Sequence, residues 1–248
     1  MKTSNHLLRR LTAALLAAVL ALSIALPVFA SDDGDTIYIN SVSDLLSLAR
    51  NCAYDQWSVG KTVILQKDLS LEGMLWEPIP SFSGQFKGNG HTISDLTITG
   101  QYSPAGLFGI VEEQGSIESL SVRGVVSVSD SADTTTGGIV GINHGTLISC
   151  QFTGVVTGDS EVGGIVGRNE SEGTIDHSTA RAIVTGKSST GGIAGYNLGA
   201  ITGCTNVGSI NTEYPEASLD TDGFTAKMVD YINNKMAAAD DDATNSVT

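Results

Sequence analysis

The sequence predicts an all-β fold, a right-handed parallel β-helix of about five coils. The first observation behind this prediction is a repeated hexapeptide of the form Gly-Ile-x-Gly-x-Asn, which begins at Gly138, Gly164 and Gly192. A degenerate copy precedes these three at Gly106–Gly109, and the four starts lie 32, 26 and 28 residues apart. Periods of this size are typical of proteins that stack one structural unit many times.

The second observation is that the differences in repeat length fall in polar turns. Each copy has a second segment that begins at Gly115, Gly145, Gly173 or Gly199, and a third segment follows nine residues later in every copy. Extra residues, such as Glu170–Glu172, lie between these segments. The segments are short, β-branched and bounded by glycine, so the sequence predicts three strands per coil.

The third observation is that aligned copies place similar residues in columns, which would stack about 4.8 Å apart inside the coil. The apolar columns are Ile93, Ile117, Leu147, Ile175 and Ile201; Leu107, Ile139, Ile165 and Ile193; and Val126, Val156, Val184 and Ile210. A polar column holds Asn143, Asn169 and Asn197. We expect these amides to hydrogen-bond from coil to coil at a sharp corner with left-handed backbone.

The unit Gly-Gly-[Ile/Leu]-Val-Gly-x-Asn-x-Gly-x-Ile resembles the GLUG repeat of secreted and surface bacterial proteins. Phe86–Ile93 and Ala105–Gly109 resemble the coils that lead into such repeats, so the resemblance covers about residues 36–211. It implies a β-helical protein with an extracellular, adhesive or cell-surface role, and it transfers no catalytic residues. The residues that carry the repeat are Gly138, Gly141, Asn143, Gly164, Gly167, Asn169, Gly192, Gly195 and Asn197.

Residues 1–30 are predicted to be a signal peptide. Lys2, Arg9 and Arg10 form a basic start, an apolar run extends from Leu11 to Leu26, and Val28–Ala30 offers a small-residue cleavage site. The alternative is an uncleaved membrane anchor, but the run is shorter than the ~20 residues of a comfortable span. We therefore expect a secreted or cell-surface protein, cleaved after Ala30 and not inserted in the membrane afterwards.

Residues 31–82 are predicted to form an N-terminal capping region. A strand at Thr36–Asn40 is followed by a short helix that starts near Ser41 or Ser43 and extends to about Asn51. Such a helix would cover the open end of the stack. Residues 83–212 hold the GLUG-like repeats, and residues 213–248 are predicted to be a linker, a helix with one apolar side and a disordered tail.

The charge of the chain excludes some classes of partner. Without the signal peptide, ten basic residues face 27 acidic residues, which gives a net charge of −17. This balance disfavours nucleic acid and anionic membrane as partners. The acidic residues do not form an EF-hand loop, although calcium at the acidic turns stays an open alternative.

The three cysteines are predicted to be free small side chains. A column is expected to hold Leu96, Leu120, Cys150, Ser178 and Cys204, with Ser178 between the two thiols. Two strand spacings would separate Cys150 from Cys204 by roughly 10 Å, too far for a disulfide. Cys52 lies near the other end of the stack, and the chain has no Cys-x-x-Cys motif.

The predicted function is a non-catalytic module for adhesion or for binding a ligand or partner. Tyr102, Arg168 and Tyr196 are the candidate surface residues, and the expected partner is a host or bacterial surface protein or a glycan. No cofactor, metal or catalytic residue is predicted. The alternative is a carbohydrate-active β-helix, for which the charged candidates are Glu118, Arg123, Asp176, His177 and Arg181. We interpret His91, which follows Gly-Asn-Gly, as a turn residue.

Overall fold

The computed structural model describes residues 35–54, 56–128 and 134–211, and in these residues the repeats form a stack of parallel strands. One helix, α1, occupies Val42–Asn51. The strands are β1 Thr36–Ile39, β2 Thr62–Leu65, β3 Leu69–Ser70, β4 Ile79–Phe82, β5 Gln85–Lys87, β6 Thr92–Gly100, β7 Phe108–Val111, β8 Ser116–Glu118, β9 Ser121–Val128, β10 Thr135–Gly137, β11 Val140–Asn143, β12 Thr146–Ile148, β13 Gln151–Thr157, β14 Glu161–Gly163, β15 Val166–Asn169, β16 Thr174–Asp176, β17 Thr179–Thr185, β18 Thr190–Gly191, β19 Ala194–Asn197, β20 Ala200–Thr202, β21 Thr205–Asn206 and β22 Ser209–Ile210. The predicted signal peptide and the predicted C-terminal helix and tail lie outside the described residues.

The strands form four parallel sheets that run along the stack. The first sheet has the order β1-β2-β5-β8-β12-β16-β20, and the second has the order β3-β6-β9-β13-β17-β21, with β22 also pairing with β17. The third sheet is β4-β7-β11-β15-β19, and the short fourth sheet is β10-β14-β18. The predicted parallel β-helix is therefore present. The right-handed sense of the coil stays a prediction.

The stack has about six coils in the described residues, rather than the five predicted. The difference arises because strands β2, β3 and β4 join the same sheets, so coiling begins before residue 83. β1 adds one more strand to the first sheet, with Ile39 opposite Leu65. The sequence predicts β structure at β1 and β2, whereas β3 and β4 lie in an irregular stretch where no strand was predicted.

Helix α1 begins and ends as its sequence indicates. Ser41 is the N-cap, and its hydroxyl oxygen accepts a hydrogen bond from the Asp44 amide. Leu45 and Leu48 are buried in the same core as the strands. That the helix closes the end of the stack stays a prediction. Among the described residues, none of the helical structure is long and apolar enough to cross a membrane.

The interior consists of the predicted ladders, with one correction in the first repeats. Ile117, Leu147, Ile175 and Ile201 are in register, but the residue below Ile117 is Phe86 and not Ile93. Ile93 instead pairs with Leu69 and Val122 in the second sheet. The predicted alignment was wrong here because the segment equivalent to Gly115–Ile117 begins at Gly84, whose carbonyl oxygen accepts a hydrogen bond from the Ser116 amide.

The same misalignment affects the predicted cysteine column. Leu96 lies opposite Gly124, across a register shift between Ile93 and Leu96, so it is not in the column of Leu120 and Cys150. Asp95 in this shift has a positive φ of 59°. An irregular strand of this kind moves side chains to a different position without any signal in apolar periodicity.

Several repeat glycines lie where backbones approach one another closely. A Cβ atom on Gly167 would lie 2.6 Å from the Thr136 amide nitrogen of the fourth sheet. A Cβ atom on Gly164 would collide with the Gly192 carbonyl oxygen of the next coil. The glycines therefore permit the sharp, narrow corner between the third and fourth sheets.

Candidate functional site

Arg168 and Tyr196, two of the three predicted surface residues, lie side by side on the outer face of the third sheet. Arg168 on β15 is opposite Tyr196 on β19 and Ile142 on β11. The guanidinium carbon of Arg168 is 5.4 Å from the centroid of the Tyr196 ring, which is the distance of a cation–π contact. Tyr196 is 40% exposed, so the ring remains accessible to a partner.

The guanidinium of Arg168 is fixed by two carboxylates. Its Nε donates to Glu161 Oε2 at 2.7 Å and its Nη2 donates to Glu161 Oε1, a bidentate ion pair. Nη1 lies 3.5 Å from Glu170 Oε1. The hydrogen bonds to Glu161 raise the pKa of Arg168 above its ordinary value. Arg168 therefore stays charged at any physiological pH.

Glu161 is itself held by the neighbouring coil. The Thr135 hydroxyl donates to Glu161 Oε2 at 3.1 Å, and the side chain of Glu161 is only 12% exposed. We name Thr135, Glu161, Arg168, Glu170 and Tyr196 the Arg168 cluster. It links three coils, and its charged groups keep one orientation because each has a partner.

Tyr102, the third predicted surface residue, has a different environment. It lies in the connection between β6 and β7, is half-buried and packs against the interior core. The described contacts of Arg168 and Tyr196 do not include it. Sequence reasoning also missed Glu161 and Glu170 as partners of Arg168. Their only signal was proximity in the sequence, because Glu161 begins β14, the strand before the one that carries Arg168, and Glu170 directly follows that strand.

The asparagine column forms a continuous chain of side-chain hydrogen bonds. Asn143 Nδ2 donates to Asn169 Oδ1 at 2.7 Å, and Asn169 Nδ2 donates to Asn197 Oδ1 at 2.8 Å. Each amide also donates to the carbonyl oxygen of the next repeat glycine, Gly145, Gly173 or Gly199. Asn143 and Asn169 are fully buried, so these two side chains hold the corner together and offer no surface to a ligand, whereas Asn197 at the end of the column is exposed.

The left-handed backbone predicted at the asparagine corner lies elsewhere. Positive φ angles occur at Ser119, Ser149, His177 and Gly203, which form the corner between the first and second sheets. The asparagines are the last residues of strands β11, β15 and β19. Their side-chain bonds, and not an unusual φ, explain why asparagine recurs there.

Four of the charged residues named for a carbohydrate-active enzyme lie in two columns, although the sequence had placed them in different columns. Glu118 and Asp176 share a column of the first sheet, with Ile148 between them. Arg123 and Arg181 share a column of the second sheet, with Thr153 between them. His177 Nδ1 is 2.8 Å from Asp176 Oδ1. Acidic groups of directly adjacent coils do not meet in these columns.

His91 is paired at the surface with Asp68. Its Nδ1 lies 3.0 Å from Asp68 Oδ1, which also accepts a hydrogen bond from the Thr92 amide. The bond from Thr92, and then that from His91, lower the pKa of Asp68. The pair connects two successive turns of the stack. In the described ranges, no group of three or more His, Cys, Asp or Glu side chains could hold a metal ion.

Cys150, Ser178 and Cys204 occupy successive coils. The Cys150 amide donates to Ser178 Oγ, and the Ser178 amide donates to Cys204 Sγ at 3.4 Å. Burial raises the pKa of the Cys150 thiol to about 12 and that of Cys52 to about 11. Thiols with such pKa values are poor nucleophiles at neutral pH, which disfavours a redox role.

Comparisons with known proteins agree with this coil structure. The family model described as the GLUG motif matches residues 158–185, a segment that contains β14 to β17 and so makes up one coil. This chain is a GLUG-repeat β-helix protein. The match rests on the repeat itself, whose glycines and asparagine have the structural roles described above.

Two relatives are far longer than this chain. A segment of 155 residues, 57% of this chain, is 30% identical to halomucin of Haloquadratum walsbyi but spans 2% of that protein. A segment of 137 residues, 40% of this chain, is 29% identical to a "Putative Gly-rich membrane protein" of Evansella cellulosilytica and spans 16% of it. A crystal structure of a "putative immunoglobulin A1 protease" from Bacteroides ovatus aligns with a TM-score of 0.46 and 15% identity, over 75% of this chain and 80% of that one.

Proposed function

We propose that this GLUG-repeat protein is a secreted or cell-surface module that binds a glycan or a surface protein without catalysis. The observation that carries the proposal is the Arg168 cluster, where an exposed tyrosine ring lies against a fixed arginine on an otherwise regular face. Aromatic and arginine side chains are the residue types that most often dominate binding surfaces.

The fixed geometry of the cluster favours binding. Glu161 and Thr135 already hold the guanidinium, so a partner would not have to immobilise this long side chain. The ring of Tyr196 offers an apolar face together with a hydroxyl, a combination that suits both sugar rings and protein surfaces. Because the carboxylates neutralise Arg168, we expect the partner to be neutral in charge rather than strongly anionic.

The location of the protein is part of the proposal. The names of two relatives, halomucin and a Gly-rich membrane protein, support a surface location. Export with cleavage after Ala30 would deliver the chain there. N-terminal sequencing of protein secreted by a bacterial host checks this step: a mature chain that starts at Ser31 supports export, and Met1 retained in the membrane fraction contradicts it.

A glycan array combined with a pull-down of surface proteins, both using residues 31–248, would test the binding function. For a ligand found in this way, Tyr196→Ala should weaken binding by about 1–2 kcal/mol, or roughly tenfold, because it removes the exposed ring. Tyr54→Ala is the matched control, since Tyr54 is 72% exposed and follows α1 at the other end of the stack. Equal losses in the two variants would place the binding surface elsewhere.

A carbohydrate-active enzyme remains the second candidate, because Glu118 and Asp176 share one outward column. Two strand spacings separate their Cα atoms by roughly 10 Å. Inverting glycosidases hold their two carboxyl groups about 6.5–9.5 Å apart, which these side chains could reach. Polysaccharide hydrolysis that is lost in both Glu118→Gln and Asp176→Asn would favour this candidate, and the absence of hydrolysis in the parent protein would favour the binding module.

A further inference from the structure

The outward column that carries Arg168 and Tyr196 continues along the third sheet beyond the Arg168 cluster. Ile142 is opposite Arg168, and Ile110 is opposite Ile142. Both isoleucines are half-buried, so part of each side chain remains open to solvent. We name Ile110, Ile142, Arg168 and Tyr196 the third-sheet strip. Its four residues stand on adjacent strands, and three strand spacings make it about 14 Å long.

A second column lies beside the third-sheet strip, at the start of the next turn. Each member directly follows a strand of the third sheet, and the members are Glu112, His144, Glu170 and Leu198. They stack on successive coils, because the amide of each bonds to a carbonyl oxygen of the coil below, as that of Glu170 does to Asn143. Leu198 is 54% exposed and adds an apolar side chain two residues after Tyr196.

Carboxylates outnumber basic side chains around the third-sheet strip. Glu161 is paired with Arg168 and balances its charge. Glu170 lies 3.5 Å from the same guanidinium, whereas Glu112 accepts a hydrogen bond from the neutral Ser81 hydroxyl at 2.7 Å. Among these residues, three carboxylates against one guanidinium leave an excess of two negative charges. A partner with an excess of positive charge therefore complements the strip.

On the basis of the binding function above, we propose that the partner is a protein whose surface presents apolar side chains together with lysine or arginine, and that it covers the strip from Ile110 to Tyr196. Ile110 and Ile142 offer only aliphatic groups, which cannot hydrogen-bond to the hydroxyls of a sugar chain. Protein interfaces, in contrast, combine apolar anchors at the centre with polar groups at the rim. The basic side chains of the partner lie against Glu112 and Glu170 at the margin of the strip.

The outer face of the first sheet supplies a matched control. Ile148, in the same coil as Ile142, is also an outward, half-buried isoleucine. Its neighbours on the adjacent coils are Glu118 and Asp176, so its surroundings are acidic rather than apolar. Glu118 likewise matches Glu112, because both carboxylates are half-buried and lie in one coil.

The experiment selects binding peptides from a random peptide library displayed on phage, with the full chain as the target. Enriched peptides should combine apolar residues with lysine or arginine. For a synthetic peptide of this kind, Ile142→Thr should weaken binding about fivefold, because it replaces aliphatic surface with a hydroxyl and keeps a β-branched shape. Glu112→Gln should weaken binding about threefold, with a smaller loss at high salt. Ile148→Thr and Glu118→Gln should leave the affinity unchanged.

Tyr196→Ala separates failure of this proposal from failure of the binding function itself. If thermal unfolding shows that Ile142→Thr is destabilised, Ile142→Val is measured instead and should weaken binding in the same direction. Peptides or glycans that lose affinity in Tyr196→Ala, but not in Ile142→Thr and Glu112→Gln, would overturn the proposal and leave the binding function standing. Acidic enriched peptides, no enrichment at all, or equal losses in Ile142→Thr and Ile148→Thr would also overturn it. Peptides that lose affinity in Ile142→Thr and Glu112→Gln but not in Tyr196→Ala would overturn both.

Discussion

Two corners recur in every full coil of the repeat, and they are stabilised by different means. At the corner that follows the third sheet, Asn143, Asn169 and Asn197 are joined by side-chain hydrogen bonds. At the corner between the first and second sheets, Ser149 and His177 have φ angles of 53° and 45°, and no column of identical side chains links the coils.

The difference explains the sequence at each corner. The asparagine corner needs one particular side chain, because the amide nitrogen of Asn169 donates to both the next coil and a repeat glycine, while its amide oxygen accepts from the coil before. The left-handed corner needs a backbone conformation, so Ser, His and Gly all occur there. In this solenoid, the residue that repeats at a corner is the one whose side chain makes the contacts. At the other corner the backbone conformation repeats, and the residue type varies.

The largest expected effect is at the centre of the asparagine column. Asn169→Leu keeps the volume but removes a donor from the Gly173 carbonyl oxygen and an acceptor from the amide of Asn143. Because these groups are buried, we expect the free energy of unfolding to fall by about 3 kcal/mol. Urea denaturation followed by circular dichroism measures the change. A loss below about 1 kcal/mol would show that the amide chain contributes little.

The same substitution at the end of the column should have a smaller effect. Asn197 accepts from Asn169 and donates to the Gly199 carbonyl oxygen, but it is exposed, so water can replace these partners. We expect Asn197→Leu to lower the free energy of unfolding by about 1 kcal/mol. If the two substitutions cost the same, burial would not be what makes the central amide important.

The sequence predicted the repeating part of the fold well and its irregular parts poorly. The columns from Ile117 to Ile201 and from Val126 to Ile210 are in the predicted register, because repeated spacing fixes the pairing of neighbouring coils. The columns placed Ile93 and Leu96 wrongly, because the first-sheet segment of this coil begins at Gly84 and the strand that carries both residues belongs to the second sheet.

The candidate site shows a similar limit. Arg168 and Tyr196 were predicted to be surface residues, and they occupy equivalent positions of successive coils. Their contact follows from the register of two adjacent strands, whereas the ion pair of Arg168 with Glu161 depends on how the third and fourth sheets meet at a corner. Tyr102 was predicted to be a surface residue as well, but it is half-buried and packs against the core.

The lower end of the asparagine column offers a test of whether the amide chain can be extended. Asn143 Oδ1 is buried without a hydrogen-bond partner, and Val111 occupies the equivalent position in the coil below. Val111 precedes Gly115 by four residues, the same spacing as Asn169 to Gly173. Val111→Asn could therefore donate both to Asn143 and to Gly115, as Asn169 does to its own partners.

A double-mutant cycle isolates this new contact from the loss of the valine. Val111→Asn should destabilise the protein less when Asn143 is present than in the Asn143→Leu background, by about 1 kcal/mol. The four free energies of unfolding come from urea denaturation of the parent, both single variants and the double variant. Additive effects would mean that the introduced amide does not reach Asn143 Oδ1.

The smallest effect is expected at the left-handed corner, and its sign is opposite. His177 has a φ of 45°, which costs a residue with a Cβ atom about 1 kcal/mol relative to glycine. Gly203 already occupies the same position in the next coil with a φ of 62°. His177→Gly should therefore raise the free energy of unfolding by up to about 1 kcal/mol, although it removes the exposed contact with Asp176, which contributes little.

Asp176→Gly is the matched control for this last substitution. Asp176 is the preceding residue, ends strand β16 and does not have a positive φ, so glycine there only adds flexibility. We expect it to lower the free energy of unfolding by about 0.5–1 kcal/mol. Thermal unfolding of both variants measures the two shifts. If both substitutions destabilise the protein, the histidine side chain and not the backbone would be what this corner requires, and the distinction between the two corners would fail.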